Sequence, residues 1–291
     1  MIPRDYVTEW RRQAPWVQDF QVEQDLVMSR AIVDIFSHPF LNGALAFRGG
    51  TALYKLYLRP PARYSEDVDL VQVRAEPAGE MMRALHEVLN PWLGEPRTKQ
   101  TEGRVTFLYR FESEDSPPIP LRLKVEINSR EHFSVHGFTP LSFAVSSRWF
   151  EGACKVTTYR LEELLGTKLR ALYQRRKGRD LFDLGIALAT SNVEPVRVLD
   201  AFTEYMTRGG HPVTRAMFER NLNAKLRDPQ FTADIQPLLA PGFTWDIDEM
   251  APPFPLASFK SCPGPPGKGR VENRSRDLPS GNLDLTKEFG R

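Results

Sequence analysis

The chain divides according to the period of its hydrophobic positions. Over roughly the first 45 residues, Trp16, Phe20, Leu26, Ile32 and Phe36 recur at near-helical spacing with no glycine before Gly43, which predicts helices. A short apolar run, Ala44 to Phe47, then meets Gly49-Gly50. Thr51 opens the stretch Ala52 to Leu58, read as a helix that Thr51 caps and Arg59-Pro60-Pro61 stops. Residues 64–73 end as a valine-rich strand, and 79–93 place Met81, Met82, Leu85, Val88 and Leu89 at amphipathic helical spacing. Residues 105–111 alternate weakly. Residues 121–128 alternate cleanly, with Leu121, Leu123, Val125 and Ile127 opposite Arg122, Lys124, Glu126 and Asn128. From Thr158 onward the period is helical, over 161–174, 180–189, 196–206 and 214–226. Strands first and helices afterward predict an α+β fold. The expected division is a mixed α/β module over 1–155, a helical module over 156–250, and a tail over 251–291. Seven prolines and five glycines in that tail predict an extended or disordered arm.

Composition changes this picture in three places. With 41% apolar and 26% charged residues, the 291-residue chain is that of an ordinary globular protein, and no apolar run is long enough for a membrane span. The N-terminus turns polar at once without a signal-peptide pattern, so the cytoplasm is the expected location. Two cysteines, Cys154 and Cys262, argue against a disulfide framework or a zinc site, and His132/His136 reads as part of a loop. Thirty-nine Lys/Arg against 37 Asp/Glu leave no global basic field, so any nucleic-acid contact must be local. The run Lys168, Arg170, Arg175, Arg176, Lys177 and Arg179, free of acids, is the candidate patch.

The candidate chemistry lies in Phe47-Arg48-Gly49-Gly50-Thr51 followed by Ser65-Glu66-Asp67-Val68-Asp69. Nucleotidyl transfer needs glycines that let backbone approach a triphosphate, a helix N-terminus that favours anions, and carboxylates for Mg²⁺. Gly49, Gly50 and Thr51 supply the first two. Asp67 and Asp69, two apart on a strand, point to one face and supply the third. One or two Mg²⁺ ions could bind there, with Glu126 on the neighbouring strand as a third ligand. Arg48 and Arg63 are further candidates for phosphate contact.

These two segments, with Arg63 and Tyr64 ahead of the second, resemble the AbiEii/AbiGii toxin family, nucleotidyltransferase-like toxins of type IV-style toxin–antitoxin systems. A second stretch agrees: Leu161 to Leu172 with Lys168, then Arg175-Arg176-Lys177-Gly178-Arg179-Asp180-Leu181-Phe182-Asp183. The resemblance implies a polymerase-β-like nucleotidyltransferase module, an NTP substrate, and functional roles for Lys168, Asp180 and Asp183, with Arg179 in support. It further implies transfer to an RNA acceptor, tRNA first, and restraint by a cognate antitoxin. Helix geometry independently places Lys168 on the inward face, where it must touch phosphate or pair with an acid such as Asp183. Asp180 has the alternative of capping its helix. Ser65, two residues before the acids, is a candidate phosphorylation site, because added negative charge would oppose metal or triphosphate binding. Two other readings fit the same residues: transfer to a small molecule or a protein hydroxyl, and an inactive RNA-binding relative.

Overall fold

A computed structural model describes residues 2–246, which lie in one compact unit. The tail expected over 251–291, with Cys262, lies outside the described residues. The first 44 residues form three helices, α1 (Arg4–Trp10), α2 (Asp19–Ser37) and α3 (Pro39–Ala44). The apolar run before the glycines becomes β1 (Leu45–Arg48). It leads into α4 (Gly49–Ala52), which continues as a π-turn over Leu53–Tyr57. Then follow β2 (Asp67–Gln72), α5 (Ala78–Leu93), β3 (Arg97–Thr101), β4 (Arg104–Glu112), β5 (Pro120–Asn128), β6 (Phe138–Ser146) and β7 (Glu151–Tyr159). The helical half comprises α6 (Leu161–Gln174), α7 (Gly178–Thr190), α8 (Pro195–Arg208), α9 (Arg215–Leu226) and α10 (Pro229–Ala233). Residue 155 falls inside β7, so the change from strand to helix comes at Arg160.

The seven strands form one mixed sheet in the order β3-β4-β5-β2-β1-β7-β6. β2 runs parallel to β5 and β1 parallel to β7, whereas the other neighbours are antiparallel. Alternation decides what each face buries. Val105, Phe107 and Tyr109 of β4 and Leu121, Leu123, Val125 and Ile127 of β5 are buried, as are Val68 and Leu70 of β2. Helices α2 and α5 pack over these residues, and α2 is buried almost along its whole length from Val22 to Phe36. The intervening residues of β2, β4 and β5 point to the opposite face, where Asp67 and Asp69 lie.

β3, β6 and β7 carry no clear sequence signal, and the structure explains why. β3 (Arg-Thr-Lys-Gln-Thr) is an edge strand whose five residues are all exposed, so it has no buried alternate positions to mark it. β6 is the opposite edge, and most of its residues are exposed or half-buried.

Candidate active site

At the end of β1 the chain turns straight into α4. Gly49 sits at φ +84°, a conformation that disfavours any side chain. A Cβ at Gly49 would also overlap the Asp69 carboxylate, and one at Gly50 would overlap the Arg63 guanidinium and crowd Ser65 Oγ. The two glycines therefore hold the helix start against β2 and the residues leading into it. Thr51 is not the helix cap. The helix begins two residues earlier with extended Arg48 at the N-cap, and the buried Thr51 hydroxyl donates to the Asp67 carbonyl at 2.6 Å. Ser65 Oγ lies 2.9 Å from that hydroxyl. Thr51 thus ties α4 to β2, and its hydroxyl is spent on that tie; only its backbone N–H remains for an anion.

The acids of β2 occupy the sheet's outer face in defined register. Asp69 lies opposite Arg48 on β1 and Glu126 on β5, and Asp67 lies opposite Lys124. Burial together with the Asp67 charge raises the Asp69 pKa, against the pull of Arg48 and Lys124. Asp69 has no salt-bridge partner of its own among the described residues, whereas Asp67 and Glu126 share Lys124. Lys124 sits among these acids, 3.4 Å from Asp67 Oδ2 and 3.1 Å from Glu126 Oε2. Burial works against its ammonium, but Asp67, Glu126 and Asp69 outweigh it and raise its pKa. Glu126 is also engaged by Arg104 at 3.3 Å. Among the described residues no three His, Cys, Asp or Glu side chains are grouped to hold a metal ion, so Glu126 is not a third ligand in a ready-made cage. Two carboxylates still fit Mg²⁺, which commonly binds one or two carboxylates together with substrate phosphates.

Arg48 and Arg170 both grip Glu131, at 2.5 and 2.6 Å. Although burial opposes it, this clamp draws the Glu131 pKa down to about 2. Arg48 is therefore a paired cation beside the acids rather than a free phosphate ligand.

A second acidic pair has a different environment. Asp183 is fully buried and accepts from Arg63 Nε (2.6 Å) and Nη2 (2.7 Å), Tyr54 Oη (2.8 Å) and Lys168 Nζ (2.7 Å). Asp180, equally buried, accepts from Lys168 (3.1 Å) and from both ends of Arg175 (2.6 and 2.7 Å). Arg63 and Lys168 overcome the burial cost and hold Asp183 far below the usual carboxylate range; Lys168 and Arg175 lower Asp180 in the same way. Asp180 is not a helix cap, because Lys177 occupies that position. Arg63, only 3% exposed and locked to Asp183, is not available for phosphate. Lys168 faces inward as the periodicity predicts, and of the two alternatives read for it the pairing with Asp183 is the one observed. Two of its three N–H donors have acid partners, and the third has none among the described residues.

The AbiEii family, described as nucleotidyl transferase AbiEii toxin of a type IV toxin–antitoxin system, matches residues 30–251. The chain belongs to that family. Solved structures of similar fold include MenT4, a nucleotidyltransferase toxin of Mycobacterium tuberculosis H37Rv, at TM-score 0.62 and 16% identity over 89% of each chain. JHP933 of Helicobacter pylori matches at TM-score 0.51 and 17% identity, over 84% of this chain and 90% of that one. At such identities the likeness shows the fold alone. No curated protein sequence matches the chain. The AbiEii assignment makes it a nucleotidyltransferase of a toxin–antitoxin system, and no described helix is long and apolar enough to cross a membrane.

Within this AbiEii chain the basic run differs from its sequence reading. Arg175 pairs with Asp180, Arg176 with Asp228, Lys177 with Asp234, and Arg179 lies 4.0 Å from Asp234. The acids come from α7, the residue before α10 and the residue just after it, so four partly exposed cations share three acids and the run is mostly paired. Residues the sequence did not mark are Lys124, Glu131 and Tyr54. Only Lys124 left a trace, on the polar side of an alternating strand. Sequence also gave no hint of a cavity of about 620 Å³ behind Thr51 and Ser65, bounded by Trp10, Trp16, Lys55 and Arg63. In that wall Asp25 accepts from Lys55 Nζ at 2.7 Å and from both indoles. His132 and His136 lie between β5 and β6 and bond to backbone carbonyls of Gln72 and Arg197.

Proposed function

We propose that this AbiEii chain transfers nucleotides from an NTP to an RNA acceptor, tRNA first, in a Mg²⁺-dependent reaction in the cytoplasm. Such modification would block translation, with a cognate antitoxin opposing it. The observation that carries this reading is the pair Asp67/Asp69, half-buried on the outer sheet face, with Gly49 pressed against Asp69. Asp67 and Asp69 would hold the divalent ion, which when bound supplies charge neutralisation for the triphosphate and activation of the acceptor hydroxyl. The first N–H groups of α4, at Gly49, Gly50 and Thr51, have no helical partners and are the donors assigned to phosphate oxygens. Lys168, its charge shared with Asp180 and Asp183, is assigned to the leaving pyrophosphate through its one remaining N–H donor. Asp180 and Asp183 are positioning residues that hold Lys168, Arg63 and Arg175, with Arg179 on the same helix. Ser65, in contact with Thr51, is where phosphorylation would place negative charge at the base of the acid pair and lower activity. A Ser65→Glu protein with full transfer activity overturns that regulatory role.

The cavity behind Thr51 and Ser65 favours one second reading, a small-molecule acceptor, because its volume is that of a small-ligand site. Incubation with each labelled NTP, Mg²⁺ and total RNA separates the two. A labelled tRNA band that Asp67→Ala abolishes supports RNA transfer. Label appearing only on protein or small molecules overturns it.

A further inference from the structure

The same register that places Asp67 and Asp69 on the outer sheet face extends to the edge of the sheet. β5 continues that face through Arg122, Lys124 and Glu126, β4 through Arg104, Leu108 and Arg110, and β3 through Arg97 and Lys99. Six cations (Arg97, Lys99, Arg104, Arg110, Arg122, Lys124) share this half of the face with two acids, Glu112 and Glu126. Arg97, Lys99, Arg104, Arg110 and Arg122 are all exposed. Among the described residues Arg97, Lys99 and Arg110 have no ion-pair partner, whereas each cation of the run at 175–179 lies within 4.0 Å of an acid. Three strand spacings, about 14 Å, separate β3 from the acids of β2. On the same face a hollow of about 700 Å³ is bounded by Leu108, Arg110, Ile119 and Arg122 together with the acids Glu66 and Glu112, with Ile119 37% exposed.

We infer that the outer face of β3–β5 is the track on which the acceptor RNA lies, its phosphates on Arg97, Lys99 and Arg110 and its reactive end at Asp67/Asp69. A flexible single strand fits a flat face crossed by cations, and the apolar wall of the hollow suits an unstacked base. An acidic protein would meet the charges equally well, but the track leads directly to the acids that would perform transfer. The choice of RNA rests on the acceptor proposed above.

Binding is measured on the full chain by fluorescence anisotropy with a labelled short single-stranded RNA, between about 50 and 200 mM salt. The Arg97→Glu/Lys99→Glu protein is expected to bind at least about tenfold more weakly at 0.1 M salt, and its log K against log salt slope should fall by about 1.4. Arg83→Glu/Arg220→Glu, the same change in net charge at exposed positions on α5 and α9, should match wild type. Because every residue of β3 is exposed, the substitutions remove nothing from the core. The milder Arg97→Gln/Lys99→Gln protein should show the same change of slope. Wild-type affinity and slope in both double variants overturn the track, and duplex DNA bound as tightly and lost in parallel overturns RNA as its occupant. If RNA binding behaves as expected but no NTP is ever transferred to RNA, the activity proposal fails and the track stands. If transfer occurs and the variants bind like wild type, only the track fails.

Discussion

The chain holds two pairs of aspartates that look alike in sequence and differ in nearly every physical respect. Asp67 and Asp69 share the half-exposed outer face with Glu126 and one interposed lysine, and Asp69 resists ionisation because burial and like charge oppose it. Asp180 and Asp183 are sealed between α6, α7 and the segment before β2, each held by cations that favour the charged form. The first pair has charge left over for a ligand. The second has its charge consumed by the fold. Unspent charge on an accessible face, rather than the presence of a carboxylate, separates a site for chemistry from a support for it.

The sharpest test of this contrast is to remove one charge from each pair and measure both stability and activity. Asp67→Asn should lower nucleotidyl transfer by at least about a hundredfold, since several kcal/mol of charge stabilisation would be lost, while its urea midpoint stays within experimental scatter. Asp183→Asn should do the reverse to stability. It leaves the buried Arg63 without its counter-charge and Lys168 with Asp180 alone, a loss of about 3–5 kcal/mol in urea unfolding. If Asp183→Asn unfolds like wild type, the sealed pair is not the support described.

Glu131 gives an intermediate case, half-buried and clamped by Arg48 and Arg170. Its folded-state pKa of about 2 lies below the ordinary glutamate value, so its contribution is present above about pH 4.5 and lost as pH falls toward 2. Glu131→Gln should cost about 3 kcal/mol at neutral pH and flatten the decline of stability between about pH 4.5 and 2, as urea titrations across that range would reveal. The smallest effect has the opposite sign. Asp69→Asn removes a charge that sits across the strands from Glu126 and two residues from Asp67. The metal-free variant should therefore be about 0.5–1 kcal/mol more stable than wild type by thermal melting, and added Mg²⁺ should stabilise wild type but not the variant.

Much of the fold and part of the site were legible in the chain. The α6 boundaries, 161–174, follow from a clear apolar period, and β5 from strict alternation. The glycines and the Asp-x-Asp strand do face each other. What escaped were the edge strands β3 and β6, whose exposed residues leave little burial pattern, the interior strand β7, buried only toward its end, and the identity of partners. Lys124 and Glu131 are surface charges to a one-dimensional reading, yet one lies between the acids and the other joins two arginines. The basic run at 175–179 misled in the opposite way: its counter-charges, Asp228 and Asp234, come from about 50 residues later.

Sequence alone therefore determined the strand that carries the acids, the alternating strand β5 and the inward helix, and that two aspartates share a face, because these depend on local period and backbone geometry. Only the tertiary structure decided which charges are spent and which remain free. Electrostatic energy depends on distances of a few ångströms and on exclusion from water, and the packing of strands and helices remote in the chain sets both.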